Sequence, residues 1–170
     1  MHEVRTQSVS TLGGRLDIAV NIAGQGDPVV YLHSAGGFYW DDFLDGLADH
    51  HTVYAPYFPG TQPGVPDGIE QLDELWDAVL AYDDLLDGLG LESTKLIGHS
   101  FGGLLASELA AQRRRGIEKL VLIAPIGLYN EAHPYTCANW CALSFDEILE
   151  TLFYDAQTPR VKKRMTAPSG

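Results

Sequence analysis

Apolar residues occur at every second position near the start of the chain, which is the period of an extended strand. The segment 15–23 shows this most clearly, because its apolar residues alternate with polar or small ones and predict a half-buried strand. Its apolar positions are Leu16, Ile18, Val20 and Ile22. Residues 3–10 predict a second strand, joined to the first at Leu12-Gly13-Gly14.

Further along, short continuous apolar runs are separated by segments with helical spacing. Such runs are typical of strands buried on both faces of a parallel sheet. The predicted strands are 28–33, 52–56, 94–98 and 119–125, and the predicted helices are 40–49, a segment from Ile69 to about Gly88, and 101–115. Strands that alternate with helices predict an α/β protein with right-handed crossovers and helices on both faces of the sheet.

Two segments have no helix or strand pattern. Residues 57–68 contain several prolines and glycines and predict a loop, and residues 126–143 are rich in aromatic residues without a clear period. Ser144 and Glu147 then match a capping box, which predicts a short helix to about Tyr154 before a frayed basic tail. We therefore expect a core at 1–125 and a second region at 126–170.

The charge of the chain is strongly acidic and unevenly distributed. The formal net charge is −12, and the sequence has no Lys or Arg between Arg15 and Lys95. Such a surface repels phosphate backbones and anionic lipids, so we expect a small-molecule substrate rather than a nucleic-acid or membrane partner. The acidic run itself is typical of solvated helix faces.

The remaining composition favours a cytoplasmic protein. The N-terminus has no basic start followed by an apolar stretch, and no run approaches the length of a membrane span. Cys137 and Cys141 predict reduced thiols, since no second His or Cys pair completes a metal site. We expect neither metal nor cofactor, and the oligomeric state is left open.

The segment 95–105, KLIGHSFGGLL, carries the clearest chemical signal. Gly98-His99-Ser100-Phe101-Gly102 matches the pattern G-x-S-x-G between a predicted strand and a predicted helix. A turn this tight gives the serine a positive φ, and it leaves no room for side chains two residues before and after it. It also places Ser100 at the positive end of a helix, where developing negative charge is stabilised. Ser100 is therefore the candidate nucleophile.

With this elbow, the paired first strands and His33-Ser34-Ala35-Gly36-Gly37 after the third strand, the chain resembles the serine-nucleophile branch of the α/β-hydrolase superfamily. The resemblance implies the α/β-hydrolase fold, with the first six strands of its sheet and the start of a cap. It implies that the backbone N–H groups of Ala35 and Phe101 form the oxyanion hole. His33, Ser34, Gly36 and His99 are then the residues expected to line the substrate site.

The base that should activate Ser100 is harder to place. The family's order is serine, acid, histidine, but His133 is the single histidine after Ser100. We interpret His133 as a cap or surface residue, and His33 as a support for the oxyanion loop. The chain resembles the first two-thirds of a family member, so the acid and the histidine are expected beyond residue 170, with little turnover by this chain alone.

Two functions remain open on this basis. One is a serine hydrolase that forms an acyl-enzyme with a small ester-like substrate, and the other is a non-catalytic ligand-binding module or inactive fragment of the same fold. The serine at the elbow argues against the aspartate-nucleophile dehalogenases and epoxide hydrolases. A nucleotide-binding Rossmann fold is disfavoured because no G-x-G-x-x-G follows the first strand.

Overall fold

A computed structural model describes residues 2–113, 115–128, 131–132, 142–159 and 161, and its strands form one six-stranded sheet. The strands are β1 (Arg5–Thr11), β2 (Leu16–Ala23), β3 (Pro28–Leu32), β4 (Thr52–Pro56), β5 (Thr94–His99) and β6 (Ile117–Ile123). The helices are α1 (Asp42–Ala48), α2 (Leu75–Gly88), α3 (Phe101–Gln112) and α4 (Phe145–Leu152). Two short 3-10 helices cover Leu12–Gly14 and Pro66–Gln71.

The sheet is mostly parallel, as the sequence predicts. Its strand order is β1-β2-β4-β3-β5-β6. β2 pairs antiparallel with β1 and with β4, whereas β3, β4, β5 and β6 run parallel to one another. The carboxyl ends of the four parallel strands therefore lie at one edge of the sheet, where the loops after β3 and β5 can meet.

Helices cover both faces of this sheet and bury a core on each. The larger core lies against α2 and α3 and contains Leu85, Leu96 and Leu105, each at most 1% exposed. The smaller one lies against α1, where Leu44 and Ala48 pack on Val53 and neighbouring residues of β4. The predicted α/β architecture with two helix layers is confirmed.

The prediction that β2 is half-buried is wrong. Ala19, Asn21 and Ala23, which alternate with its large apolar residues, are also buried. β2 lies between β1 and β4, and its Ala23 packs in the core beneath α1. Small residues on the second face fit beneath a close-packed helix, so alternation in size was mistaken for alternation in exposure.

The predicted bounds of two helices also need correction. α2 begins at Leu75 rather than at Ile69, because Ile69 lies in the 3-10 helix and Leu72 is extended. α3 ends at Gln112 rather than at residue 115. Arg113 is its C-cap, and it pairs with Asp83 at 2.7 Å and with Asp87, both on α2, so its charge joins two helices.

β6 ends the described sheet on one side, and it lies at 117–123 rather than 119–125. Among the described strands, it pairs with β5 alone. Its apolar side chains are unusually exposed for a parallel strand, with Leu120 at 38%, Val121 at 49% and Ile123 at 37%. The predicted exposed apolar edge is therefore present in the described part of the sheet.

The chain divides into two compact units, Met1–Leu128 and Tyr129–Gly170. In the second unit, the predicted capping box opens α4: Glu147 accepts the backbone N–H of Ser144, and the hydroxyl of Ser144 accepts the N–H of Glu147. Within the described ranges, none of the helices has both the length and the apolar character that a membrane crossing requires.

Candidate active site

The turn between β5 and α3 holds Ser100 in a conformation that side chains rarely adopt. Its φ is 54° and its ψ is −113°, and it is the N-cap residue of α3. Positive φ is uncommon outside glycine, and it costs on the order of 1–3 kcal/mol unless the surroundings impose it. The predicted sharp strand-to-helix elbow is present.

Three glycines make this elbow sterically feasible. A Cβ at Gly98 would lie 2.4 Å from the carbonyl oxygen of Gly102, and one at Gly102 would lie 2.1 Å from the carbonyl oxygen of Leu32. A Cβ at Gly103 would lie 2.7 Å from Pro125 Cβ. These distances are far inside van der Waals contact, so the glycines allow α3 to start directly against the ends of β3 and β6.

The peptide bond after Ser100 is fixed in direction by its own carbonyl. That oxygen accepts N–H groups from Gly103 at 2.9 Å, Ile126 at 3.2 Å and Leu104 at 3.3 Å. Because a trans peptide directs its C=O and N–H to opposite sides, the N–H of Phe101 is held facing away from these donors. In the described part of the chain, this N–H donates to no other group.

The peptide bond between Ser34 and Ala35, in the loop after β3, is fixed in direction in the same way. The carbonyl of Ser34 accepts the N–H of Gly37 at 3.2 Å and lies 2.7 Å from His33 Nδ1. Ala35 N–H belongs to the same peptide unit, so it is held on the opposite side, and within the described ranges it donates to no other group. Both candidate oxyanion donors are thus fixed in direction and, among the described residues, without an acceptor.

His33 fixes this loop as a neutral, buried side chain. Its Nε2 accepts the backbone N–H of Phe58 at 2.9 Å, so the proton resides on Nδ1, which donates to Ser34. The ring is only 5% exposed, and burial lowers the pKa of His33 despite the hydrogen bond to Ser34. With both nitrogens engaged, His33 cannot take a proton from Ser100, and it instead ties the loop after β3 to the loop after β4.

The neutral state of His33 predicts a pH dependence of stability. The pKa of His33 is near 6.5 in the unfolded chain and lower in the folded chain. Below about pH 6.5, the unfolded chain therefore binds a proton at His33 more readily than the folded chain does. We expect the free energy of unfolding to fall as the pH drops from 7.5 to 5.5, and His33→Gln to reduce this fall. Urea denaturation at the two pH values measures the difference.

His50 supplies the control for this prediction, because it is also a histidine but is exposed. His33→Gln should reduce the pH dependence by more than His50→Gln does. An equal effect of the two substitutions would mean that His33 is not the group responsible.

A cavity of about 600 Å³ lies beside the two oriented peptides. His33, Ser34, Ala35 and Phe101 line it, whereas Gly36 and His99 are not among its described lining residues. The substrate-binding and oxyanion roles of these residues stay predictions. Ser100 is half-buried and does not line it either, although its neighbour Phe101 does.

The far wall of this cavity was missed from the sequence. It comes from the loop after β4, the 3-10 helix and the start of α2: Phe58, Pro59, Gly60, Thr61, Ile69, Leu72, Asp73, Glu74, Leu75 and Ala78. Phe58 contacts Phe101 edge to face, with ring centroids 4.9 Å apart. The signal in the sequence was the position of residues 57–68 after a parallel strand, where substrate loops lie.

The general base is not found among the described residues. Within these ranges, no hydrogen bond joins a histidine to Ser100 Oγ, and the expectation that the base lies beyond residue 170 stays a prediction. His133, Cys137 and Cys141 lie outside the described residues. Their predicted roles, as a cap or surface histidine and as reduced thiols, stay predictions.

The fold and the elbow define a class of protein that the sequence also matches. Residues 29–167 match the Alpha/beta hydrolase family, and the chain belongs to that family. It is 33% identical over 137 residues to 2-hydroxy-6-oxo-2,4-heptadienoate hydrolase of Pseudomonas putida, an alignment that covers 76% of this chain and 48% of the relative. The chain thus spans about half the length of that curated relative.

Solved structures agree on the fold. Naproxen esterase of Bacillus subtilis superposes with a TM-score of 0.71 at 17% identity, covering 96% of this chain and 60% of that one. The epoxide hydrolase CorEH superposes with a TM-score of 0.65 at 25% identity, over 79% of this chain and 47% of that one. The predicted α/β-hydrolase fold is confirmed.

Proposed function

We propose that this chain carries the nucleophile half of a serine hydrolase that acts on a small ester-like substrate through an acyl-enzyme. The observation that carries the proposal is the positive φ of Ser100 at an elbow closed by Gly98 and Gly102. Strain of this kind concentrates at functional sites. A turn with an idle serine has no need of it, because glycine could occupy position 100 without strain.

The surroundings of Ser100 support the chemistry of acyl transfer. Ser100 Oγ would attack the ester carbonyl, and the electron pair of the C=O bond would move onto oxygen. The unpaired N–H groups of Ala35 and Phe101, and the N-terminus of α3, are suited to stabilise that oxyanion. Expulsion of the alcohol would leave the acyl-enzyme, which water then cleaves; the proton transfers need a base that the described residues do not supply.

A fluorophosphonate probe tests this proposal, because it phosphonylates serines that act as nucleophiles. We expect labelling at Ser100, identified by peptide mass spectrometry, to be slow in this chain and absent from Ser100→Ala. Ser107→Ala is the matched control. Ser107 lies in the helix that follows Ser100, and its hydroxyl donates a hydrogen bond to the carbonyl oxygen of Gly103 at 2.8 Å. Label on other residues only, or equal labelling of Ser100→Ala, would contradict the proposal.

The same probe examines the interpretation of His133. We expect His133→Ala to label at the same rate as the parent chain, since His133 is interpreted as a cap or surface residue. Rapid labelling that both Ser100→Ala and His133→Ala abolish would instead make His133 the base.

A further inference from the structure

The cavity beside Ser100 has an apolar interior. Its described lining is dominated by aromatic and aliphatic side chains: Phe58, Ile69, Leu72, Leu75, Ala78 and Phe101. A cavity of about 600 Å³ with such a lining is of the size and character that holds a small organic molecule. Burial of an apolar chain there would be favourable by roughly 25 cal/mol for each Å² removed from water.

Among the described lining residues of this cavity, the charged ones are both negative and lie on the same side. Asp73 and Glu74 line the cavity where the chain enters α2, and both are exposed. The sequence has no Lys or Arg between residues 15 and 95, and no described lining residue is a cation. An anionic group in this cavity would therefore face carboxylates without a described cation to pair with.

The N-terminus of α2 does not offset this charge. A helix end corresponds to about +0.5 of an elementary charge. Against it stand three carboxylates, those of Asp73, Glu74 and Asp77. The side chain of Asp77 already accepts the N–H groups of residues 73 and 74, at 2.8 and 3.2 Å, and Glu74 accepts the N–H of Asp77. The N–H groups of residues 73, 74 and 77 are thus engaged by the protein's own acids, and three carboxylates outweigh the partial charge of the helix end.

We infer that the cavity selects against negatively charged substrates, and that the substrate group it takes is an uncharged apolar chain, with a cationic end tolerated at the rim of Asp73 and Glu74. This inference rests on the proposed function for its meaning, because it specifies the substrate of that site. It also distinguishes the chain from its P. putida relative, whose name describes a carboxylate-bearing dienoate.

The field in the cavity can be measured without any catalysis. In a background with Cys137→Ser and Cys141→Ser, Ser34→Cys places one thiol in the cavity lining. Its thiolate attacks the sulfur of a methanethiosulfonate reagent, and methanesulfinate leaves as the disulfide forms. The rates are compared for a trimethylammonium and a sulfonate reagent, each relative to its rate with a free thiol. Two carboxylates that line the same cavity predict a roughly severalfold effect on each rate at low salt.

The control must separate the cavity carboxylates from the overall charge. Asp73→Asn with Glu74→Gln should lower the preference for the cationic reagent at least about twofold. Glu70→Gln with Glu92→Gln removes the same charge from two exposed residues that do not line the cavity, and should change the preference little. Equal effects of the two pairs, or no preference for the cation in the parent, would overturn the inference.

Reaction with esters supplies the second readout. Three 4-nitrophenyl esters of matched length are compared: the hexanoate, the monoester of adipic acid and the 6-(trimethylammonio)hexanoate. We expect the adipate monoester to be the poorest Ser100-dependent substrate. A preference for the adipate would overturn the inference and leave the hydrolase proposal intact. Because this chain alone is expected to turn over little, the readout is slow acylation of Ser100, detected by mass spectrometry. Acylation by none of the three esters would count against the proposed function, whereas the thiol reactivities would still decide the charge selectivity.

Discussion

Gly102→Ala is expected to destabilise the protein by about 3 kcal/mol or more, the upper range for overpacking, because the added methyl group meets backbone that cannot yield. Its Cβ would lie 2.1 Å from the carbonyl oxygen of Leu32 and 2.6 Å from that of His33. This clash can be relieved only if α3 moves away from the end of β3, and that movement would also separate Ser100 from the loop that contains Ala35. Urea denaturation followed by circular dichroism measures the loss.

Gly46→Ala is the matched control for this substitution. Gly46 lies inside α1 with ordinary helical φ, and a Cβ there would meet nothing within 4 Å. Alanine at such a position should stabilise the protein by about 0.5–1 kcal/mol. Equal, small effects at both positions would show that α3 does not lie as close to β3 as the structure places it.

Ser100→Gly is expected to be more stable than Ser100→Ala by about 1 kcal/mol, the reverse of the usual order within helices. Alanine keeps the Cβ that makes a φ of 54° costly, whereas glycine adopts this conformation freely. Both substitutions remove Oγ, so neither should be labelled by the fluorophosphonate. The difference in their free energies of unfolding therefore reports backbone strain apart from chemistry.

Ser107 provides the comparison within the same helix. It lies in the interior of α3, where alanine should be more stable than glycine by about 1 kcal/mol. If position 100 followed the same order as position 107, the strained elbow would be contradicted, and with it the main support for a nucleophilic serine.

The elbow could be predicted from the sequence because its requirement is local. Gly98, Ser100 and Gly102 are close along the chain, and the clash that excludes a side chain at Gly98 arises from the turn itself, whereas the atoms that exclude one at Gly102 belong to Leu32 and His33. The resemblance proposed donors at Ala35 and Phe101, but it did not predict how those N–H groups are oriented. Their orientation depends on which groups hold the carbonyls of Ser34 and Ser100, and one of these groups, the N–H of Ile126, is distant along the chain.

The far wall of the cavity escaped prediction for a different reason. Ile69 and Leu72 recur at helical spacing with Trp76, so the pattern favoured one long helix. In the structure the helix is interrupted instead: the 3-10 helix ends at Gln71, Leu72 is extended, and Glu74 is the N-cap of α2. Hydrophobic periodicity indicates which residues face the interior of the protein. It does not indicate that part of the segment leaves the helix and encloses a cavity.

The edge of β6 has a consequence for anyone who handles this polypeptide. Within the described sheet, one row of backbone groups on β6 has no partner strand, and with exposed Val121 and Leu120 it is a template onto which a second copy can add. At neutral pH the net charge of −12 keeps copies apart by mutual repulsion. Acidification protonates carboxylates and weakens that repulsion, so dilute, neutral, low-salt solutions should keep the chain dispersed, whereas acidic or concentrated ones should favour precipitation.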